Sequence, residues 1–230
     1  MSVKSEQIEV SSSDFEQMKE FVYGQLISST QHDADGNRMR WYPWHSADYR
    51  FIHTLNVVSI STQIAQKEGA NIDSVRISAL FHDIAKFSSP QKNHAQDGAD
   101  LAIDYLQNNF SFPDSFLDDI HKIISNHTYE GHLSDLSLEE RCLIEADMID
   151  KIGANGSALL ILRMGYDSRP SSHTSDTLQK VITRGKETLS KITSDTAYSI
   201  AYQRVQRATW LKEWIDEETP GAFELSNKQH

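Results

Sequence analysis

The segment LFHDIAKF, residues 80–87, sets His82 and Asp83 side by side among Leu80, Phe81 and Ile84. A carboxylate in so apolar a run has to be paired, protonated or bound to a metal, because burying it alone is strongly unfavourable. Two other stretches place similar residues at helical spacing. His53 shares a stripe with Tyr49, Val57, Ile60 and Ile64, and Asp147 is followed one turn later by Asp150 in EADMIDKIGANG. Neutral imidazole and carboxylate are the side chains that suit zinc, manganese or iron(II). A single histidine on an apolar face is ordinarily a hydrogen-bonded core residue. Two histidines and two aspartates on inward faces of separate helices argue instead for a shared ion.

The elements that must carry these residues are helical. Ser13 and Glu16 form a capping-box pattern ahead of Phe15, Met18, Val22 and Leu26, which predicts a first helix to about residue 29. Residues 30–45, with Gly36, Pro43 and two tryptophans, read as a loop. A second helix is expected from Ala47 to about Gln66, a third from Ile72 to Phe87, and a fourth along Ala95, Ala99, Ala102, Leu106 and Phe110. Ser115 and Asp118 suggest a cap for a helix carrying Phe116, Ile120, Ile123, Ile124 and His127, and Ser137 with Glu140 a second capping box. Residues 165–176 form a polar break, followed by helices over about 177–192 and 195–217. Period-two alternation is nearly absent, so the fold class is all-α. A single helical domain is expected over residues 13–218, with its core motif region at 45–165 and its C-terminal helices at 177–217. Residues 1–12 and 219–230 read as a flexible N-terminus and tail.

Composition narrows the partners. The 230 residues are 38% hydrophobic and 24% charged, enough to bury a core, and 33 acidic against 22 basic residues leave a formal charge of -11. That balance offers no footprint for a nucleic-acid polymer or an anionic membrane. A small anionic substrate fits only if a metal or local basic groups reverse the field. The one cysteine, Cys142, and an N-terminus without an apolar signal region point to a cytoplasmic protein without a membrane anchor. The reading also admits a homodimer.

With HTLNV around His53, ALFHDIAK around His82 and Asp83, and EADMIDKIGANG around Asp147, the chain resembles the HD superfamily of metal-dependent phosphohydrolases over about residues 45–165. The stretches EGANIDSV, IISNHT and EADMIDKIGANG look most like small stand-alone bacterial members, some of which split nucleoside triphosphates. The Glu-Asp pair of the guanosine tetraphosphate hydrolases and the GYP signature of the cyclic dinucleotide phosphodiesterases have no counterpart here.

The resemblance implies that His53, His82, Asp83 and Asp147 hold a divalent ion (manganese, zinc, nickel, iron or magnesium). It implies hydrolysis of a small phosphate ester or anhydride, with a nucleotide as the expected substrate. The ion would polarise a phosphoryl oxygen and acidify its water. Beside Asp83, Lys86 is expected to reach a phosphate oxygen, and Asp150 to orient a ligand or accept the proton. His94 and His127 fall where some HD enzymes supply ligands for a second metal, or where phosphate would be contacted. His127 reads as inward, whereas His94 reads as an exposed residue at a helix start, and neither His94 nor His121 lies on an inward stripe. A one-metal site is therefore expected. Arg163, Arg169 and His173 on one side, and Arg38, Arg40 and Trp41 on the other, are candidates for a pocket wall. Two other functions remain open, a di-iron oxygenase of HD type and a nucleotide-sensing module without catalysis.

Overall fold

The computed structural model describes residues 10–32, 46–167 and 174–219. Among them are nine α-helices and no strand: α1 Ser12–His32, α2 Ala47–Glu68, α3 Ile72–Phe81, α4 His94–Asn109, α5 Asp114–Ser125, α6 Leu138–Asp150, α7 Gly153–Asp167, α8 Thr174–Lys191 and α9 Asp195–Glu218. The all-α expectation holds. No helix among the described residues is long and apolar enough to cross a membrane. Most of the loop at 30–45, with Arg38, Arg40 and Trp41, and the residues Arg169 and His173, lie outside the described residues, as do the ends of the chain at 1–9 and 220–230.

The helices group into two compact units. In the first, α1 to α5 and the start of α6 enclose an apolar core of Met18, Val22, Leu26, Ile77, Leu80, Phe81, Leu106, Ile120 and Ile124. Phe21 stacks on Tyr105 at a centroid distance of 3.7 Å, and both rings flank Phe81. The stripe predicted on α2 is buried at His53, Val57, Ile60 and Ile64.

Three helix ends differ from the sequence reading. The cap of α1 is Ser11, whose Oγ accepts from the Asp14 N–H at 3.1 Å, two residues ahead of the expected Ser13. At α5 the N-cap is Pro113 and Ser115 already sits inside the helix. The third difference bears on function. Helix α3 ends at Phe81 rather than Phe87, and His82 to Ser88 continue as tight turns with Ile84 N to Phe81 O, Lys86 N to Asp83 O and Ser88 N to Ala85 O bonds of 3.0, 3.0 and 3.2 Å. The cause is local. His82 Nδ1 donates to the Ala79 carbonyl at 2.7 Å, the acceptor that a continuing helix would offer to the Asp83 N–H. Lys86 therefore lies in this turn and not on the helix that carries Phe81.

The capping box before α6 forms as predicted. The Ser137 N–H donates to Glu140 Oε2 at 2.8 Å and the Glu140 N–H to Ser137 Oγ at 3.3 Å. Glu140 also accepts from Asn126 at 2.6 Å and pairs with Lys122 at 3.3 Å. Burial pushes the Glu140 carboxyl up, but the Asn126 amide, Ser137 and Lys122 outweigh it and hold the pKa below the ordinary value.

The second unit contains the rest of α6 with α7, α8 and α9. Gly153, at φ +75°, turns the chain out of α6, and a Cβ there would lie 2.7 Å from Arg204 Cβ. Gly185 lets α8 approach α9, since a Cβ would sit 2.5 Å from Val205 Cγ2. Buried Glu145 accepts from the Thr193 N–H at 2.7 Å, Thr193 Oγ1 at 2.9 Å, the Ser194 N–H at 3.2 Å and Ser194 Oγ, and so anchors the start of α9.

Loss of the capping box should be measurable. Ser137→Ala is expected to cost about 1 kcal/mol in urea unfolding. Because the folded pKa of Glu140 is depressed, its contribution is present above the unfolded carboxylate range and disappears as pH falls through the folded value. The stability gap between wild type and Glu140→Gln should therefore narrow below about pH 4, and a gap independent of pH would contradict the assignment.

Candidate metal centre

Asp83 is the centre of the first unit's polar cluster. Its side chain is 5% exposed, and its two oxygens face different groups. Oδ2 lies 2.6 Å from Arg50 Nη1, 3.5 Å from His82 Nε2 and 3.8 Å from His53 Nε2. Oδ1 lies 3.5 Å from His94 Nε2, 3.6 Å from Lys86 Nζ and 3.7 Å from His127 Nε2. The carboxylate thus divides the cluster into two sides, each with a pair of imidazoles and one fixed cation.

Local backbone chemistry orients the rings. His82 Nδ1 bonds to Ala79 O at 2.7 Å, His94 Nδ1 to Gln91 O at 2.6 Å and His127 Nδ1 to Ile124 O at 2.7 Å. A carbonyl only accepts, so each Nδ1 carries the proton and each neutral ring has its lone pair at Nε2. All three use the carbonyl three residues earlier, at or beside a helix end: His82 closes α3, His94 opens α4 and His127 follows α5.

The fixed tautomers turn acceptor nitrogens toward the carboxylate, with Lys86 Nζ as a fixed cation 3.1 Å from His94 Nε2. His94 Nε2 and His127 Nε2 stand 3.2 Å apart, and both face Asp83 Oδ1. Two lone pairs at that distance from each other and near a carboxylate repel unless a proton or a metal ion lies among them. Ligand atoms of Asp83, His94 and His127 all fall within 4.8 Å of one another, and all three residues are buried. Metal-binding histidines characteristically give their other ring N–H to a carbonyl or carboxylate, as these do. The donor set fits a divalent ion.

Burial pushes the Asp83 carboxyl up, but the charge of His82 when it is protonated, the charge of Arg50, and hydrogen bonds from His127 and His94 when their Nε2 atoms carry a proton hold it well below the usual carboxylate range. It is an anion, and an ion ligand has to be one.

Several expectations are revised here. His94 is 1% exposed and faces Asp83, so it is not an exposed residue at a helix start; Asn93 takes the N-cap position. The periodicity of α4 begins at Ala95, which hid the first residue of the helix. His127 is buried one residue beyond the cap of α5. His121 does lie apart, on Asp100 at 2.8 Å. Lys86 points inward, with Nζ 3.1 Å from His94 Nε2. Arg50 was not singled out from the sequence, although it precedes His53 by one turn and so shares its face.

Asp147, Asp150 and Arg163 belong to the second unit. Asp147 Oδ2 pairs with Lys151 Nζ at 2.5 Å. Asp150 is buried, with Arg204 Nη1 at 3.8 Å from Oδ1 and Asn155 Nδ2 at 3.4 Å. Arg204 also donates to the Ile149 carbonyl at 2.8 Å. Arg163 is exposed on α7.

The family model of the HD domain matches residues 50–152, a segment that opens at Arg50 and includes all seven residues of the cluster and both aspartates of α6. Over these residues the chain is similar to an HD domain. Its fold is similar to YpgQ of Bacillus subtilis, solved in complex with ADP, at 21% identity and a TM-score of 0.62 over 90% of this chain and 95% of that one. It is also similar to an HD-superfamily hydrolase from Bacillus thuringiensis, at 18% identity and a TM-score of 0.59 over 87% and 98% of the two chains. A shorter sequence match is to the symmetrical bis(5'-nucleosyl)-tetraphosphatase of Bacillus subtilis, 40% identical over 40 residues. That match spans 17% of this chain and 22% of the relative's length.

If the ion resides on both sides of Asp83, elemental analysis of protein loaded with manganese should give more than one ion per chain. His94→Ala should reduce the stoichiometry by about one, since each side offers its own pair of imidazoles. An unchanged metal content would leave His94 outside the ligand set.

Proposed function

We propose that the protein is a metal-dependent phosphohydrolase acting on a small phosphate ester or anhydride, with a nucleotide as substrate. The observation that carries the reading is the buried, ionised Asp83 faced by four imidazole Nε2 atoms and two fixed cations. Imidazoles and a carboxylate hold a divalent ion, and the added cations suit an anionic substrate rather than a neutral one.

The residues that would hold the ion are His53, His82, Asp83 and Asp147, in the order of the family's ligands. Asp147 enters on that resemblance. His94 and His127 would hold a second ion or contact phosphate. A bound divalent ion supplies Lewis-acid polarisation of a phosphoryl oxygen and makes water a stronger acid. Lys86, with its side chain 16% exposed beside Asp83 Oδ1, would steady an equatorial phosphoryl oxygen as charge develops there. Support for a nucleotide comes from the ADP held by YpgQ and the dinucleoside tetraphosphate named for the curated relative.

The two-sided carboxylate also favours one second reading, a di-iron oxygenase, because such a site bridges two metals. The outcomes separate cleanly. Manganese-loaded protein should release phosphate or pyrophosphate from nucleotides without oxygen, whereas an oxygenase would consume oxygen only when loaded with iron.

Asp147→Ala should abolish turnover and lower the metal content while the circular dichroism spectrum is kept. Lys86→Ala should keep the metal and reduce kcat/KM on the order of a hundredfold. Unaltered kinetics in Lys86→Ala would remove that residue from the reaction.

A further inference from the structure

Arg50 has no role in the ligand set, yet among the described residues it makes the shortest contact to Asp83. Its Nη1 lies 2.6 Å from Asp83 Oδ2, and its side chain is 12% exposed. Its Nε is buried and makes no hydrogen bond among the described residues. A guanidinium with a buried donor left unused is incompletely satisfied by the carboxylate it touches.

The position of the contact matters more than its length. Oδ2 is the oxygen that His53 Nε2 and His82 Nε2 also face, at 3.8 and 3.5 Å. The guanidinium charge therefore occupies the side of Asp83 on which two of the proposed ligands converge. A divalent ion arriving there meets a fixed positive charge. Lysine or histidine would relieve that repulsion by losing a proton, but arginine does not deprotonate in proteins. Relief has to come from movement of the guanidinium or from an anion placed between the two cations.

We infer that Arg50 is a phosphate-binding residue of this site, whose guanidinium, seated on Asp83 Oδ2, would pass to a substrate phosphoryl group as a divalent ion takes over the carboxylate. The inference rests on the phosphohydrolase reading and adds a coupling to it. Metal loading frees a planar fork of donors suited to two phosphate oxygens, and the anion in turn relieves the repulsion felt by the metal. Linkage requires the two effects to be equal. Arg50 and His53 lie one turn apart on α2, so the residue that would bind the anion is rigidly tied to one that would bind the ion.

The test is a manganese titration of the full-length chain with and without methylphosphonate, a phosphate-shaped anion that is not hydrolysed. In the wild type the anion should tighten manganese binding by about tenfold, within the usual range of coupling between sites. In Arg50→Gln, manganese alone should bind at least as tightly as in the wild type, and the coupling should fall below about twofold. Manganese should also raise the melting temperature of this variant by more than it raises that of the wild type, because the ion replaces the missing counter-charge. Arg50→Lys, which keeps a charge but not the fork, should keep only part of the coupling, and it decides the matter if Arg50→Gln does not fold.

Coupling of wild-type size in the variants, or manganese affinity weakened by the loss of the guanidinium, would overturn the inference and leave Arg50 as a brace for Asp83. Nucleotide turnover measured on the same wild-type sample separates the two claims. Turnover with undiminished coupling in the variants sinks this inference alone, whereas neither turnover nor anion binding sinks the phosphohydrolase reading with it.

Discussion

Everything in the cluster answers to one buried carboxylate. Asp83 is ionised against the cost of its own desolvation, and the surrounding nitrogens are what make that state stable. Taking such an anion out of water is worth the cost only where its partners are close and well aimed. That constraint explains why the first unit spends its helix ends on histidines. A histidine in mid-helix would have its neighbouring carbonyls engaged by backbone N–H groups, whereas at an end the carbonyl three residues back is open to the ring. His82 and His94 use that opening, and His127 shares the Ile124 carbonyl with its own backbone N–H. The result is three rings in one tautomer, aimed by backbone rather than by other side chains.

This also accounts for the early end of α3. The apolar run from Ile72 to Phe87 reads as one helix because hydrophobic periodicity reports which face is buried and says nothing about competition for a single carbonyl. His82 captures the Ala79 carbonyl, the backbone tightens, and Asp83 and Lys86 turn towards the other histidines. Had α3 continued, Asp83 and Lys86 would follow ordinary helical spacing. The chemistry depends on the break.

How far the sequence reaches follows from the same distinction. The helices, the Ser137–Glu140 capping box and the inward position of His53 were legible because each rests on local spacing. The pairing of His82 with Asp83 was legible as chemistry because a charge among Leu80, Phe81 and Ile84 has no cheap alternative. His94 was misjudged because it lies at a helix start, where periodicity has too few turns to assign a face. Arg50 was missed because arginine is usually exposed, and only its one-turn offset from His53 hinted otherwise. Glu145 was missed since its partners, Thr193 and Ser194, lie almost fifty residues away in sequence.

The charge of the whole chain and the charge of the site have opposite signs, and physical range reconciles them. A formal charge of -11 repels a polyanion that must lie along an extended surface. Screening limits each charge to about 8 Å at physiological ionic strength, so a small anion close to Asp83 feels mainly its immediate surroundings. There the fixed charges are the guanidinium of Arg50 and the ammonium of Lys86 against one carboxylate, and a divalent ion would make the balance more positive. Anions large enough to sample the outer surface are disfavoured, and those small enough to be held within a few ångströms of the carboxylate are attracted. For the proposed phosphohydrolase, selection by size would come before any finer recognition of substrate, and it follows from Arg50 and Lys86 standing on opposite oxygens of the same aspartate.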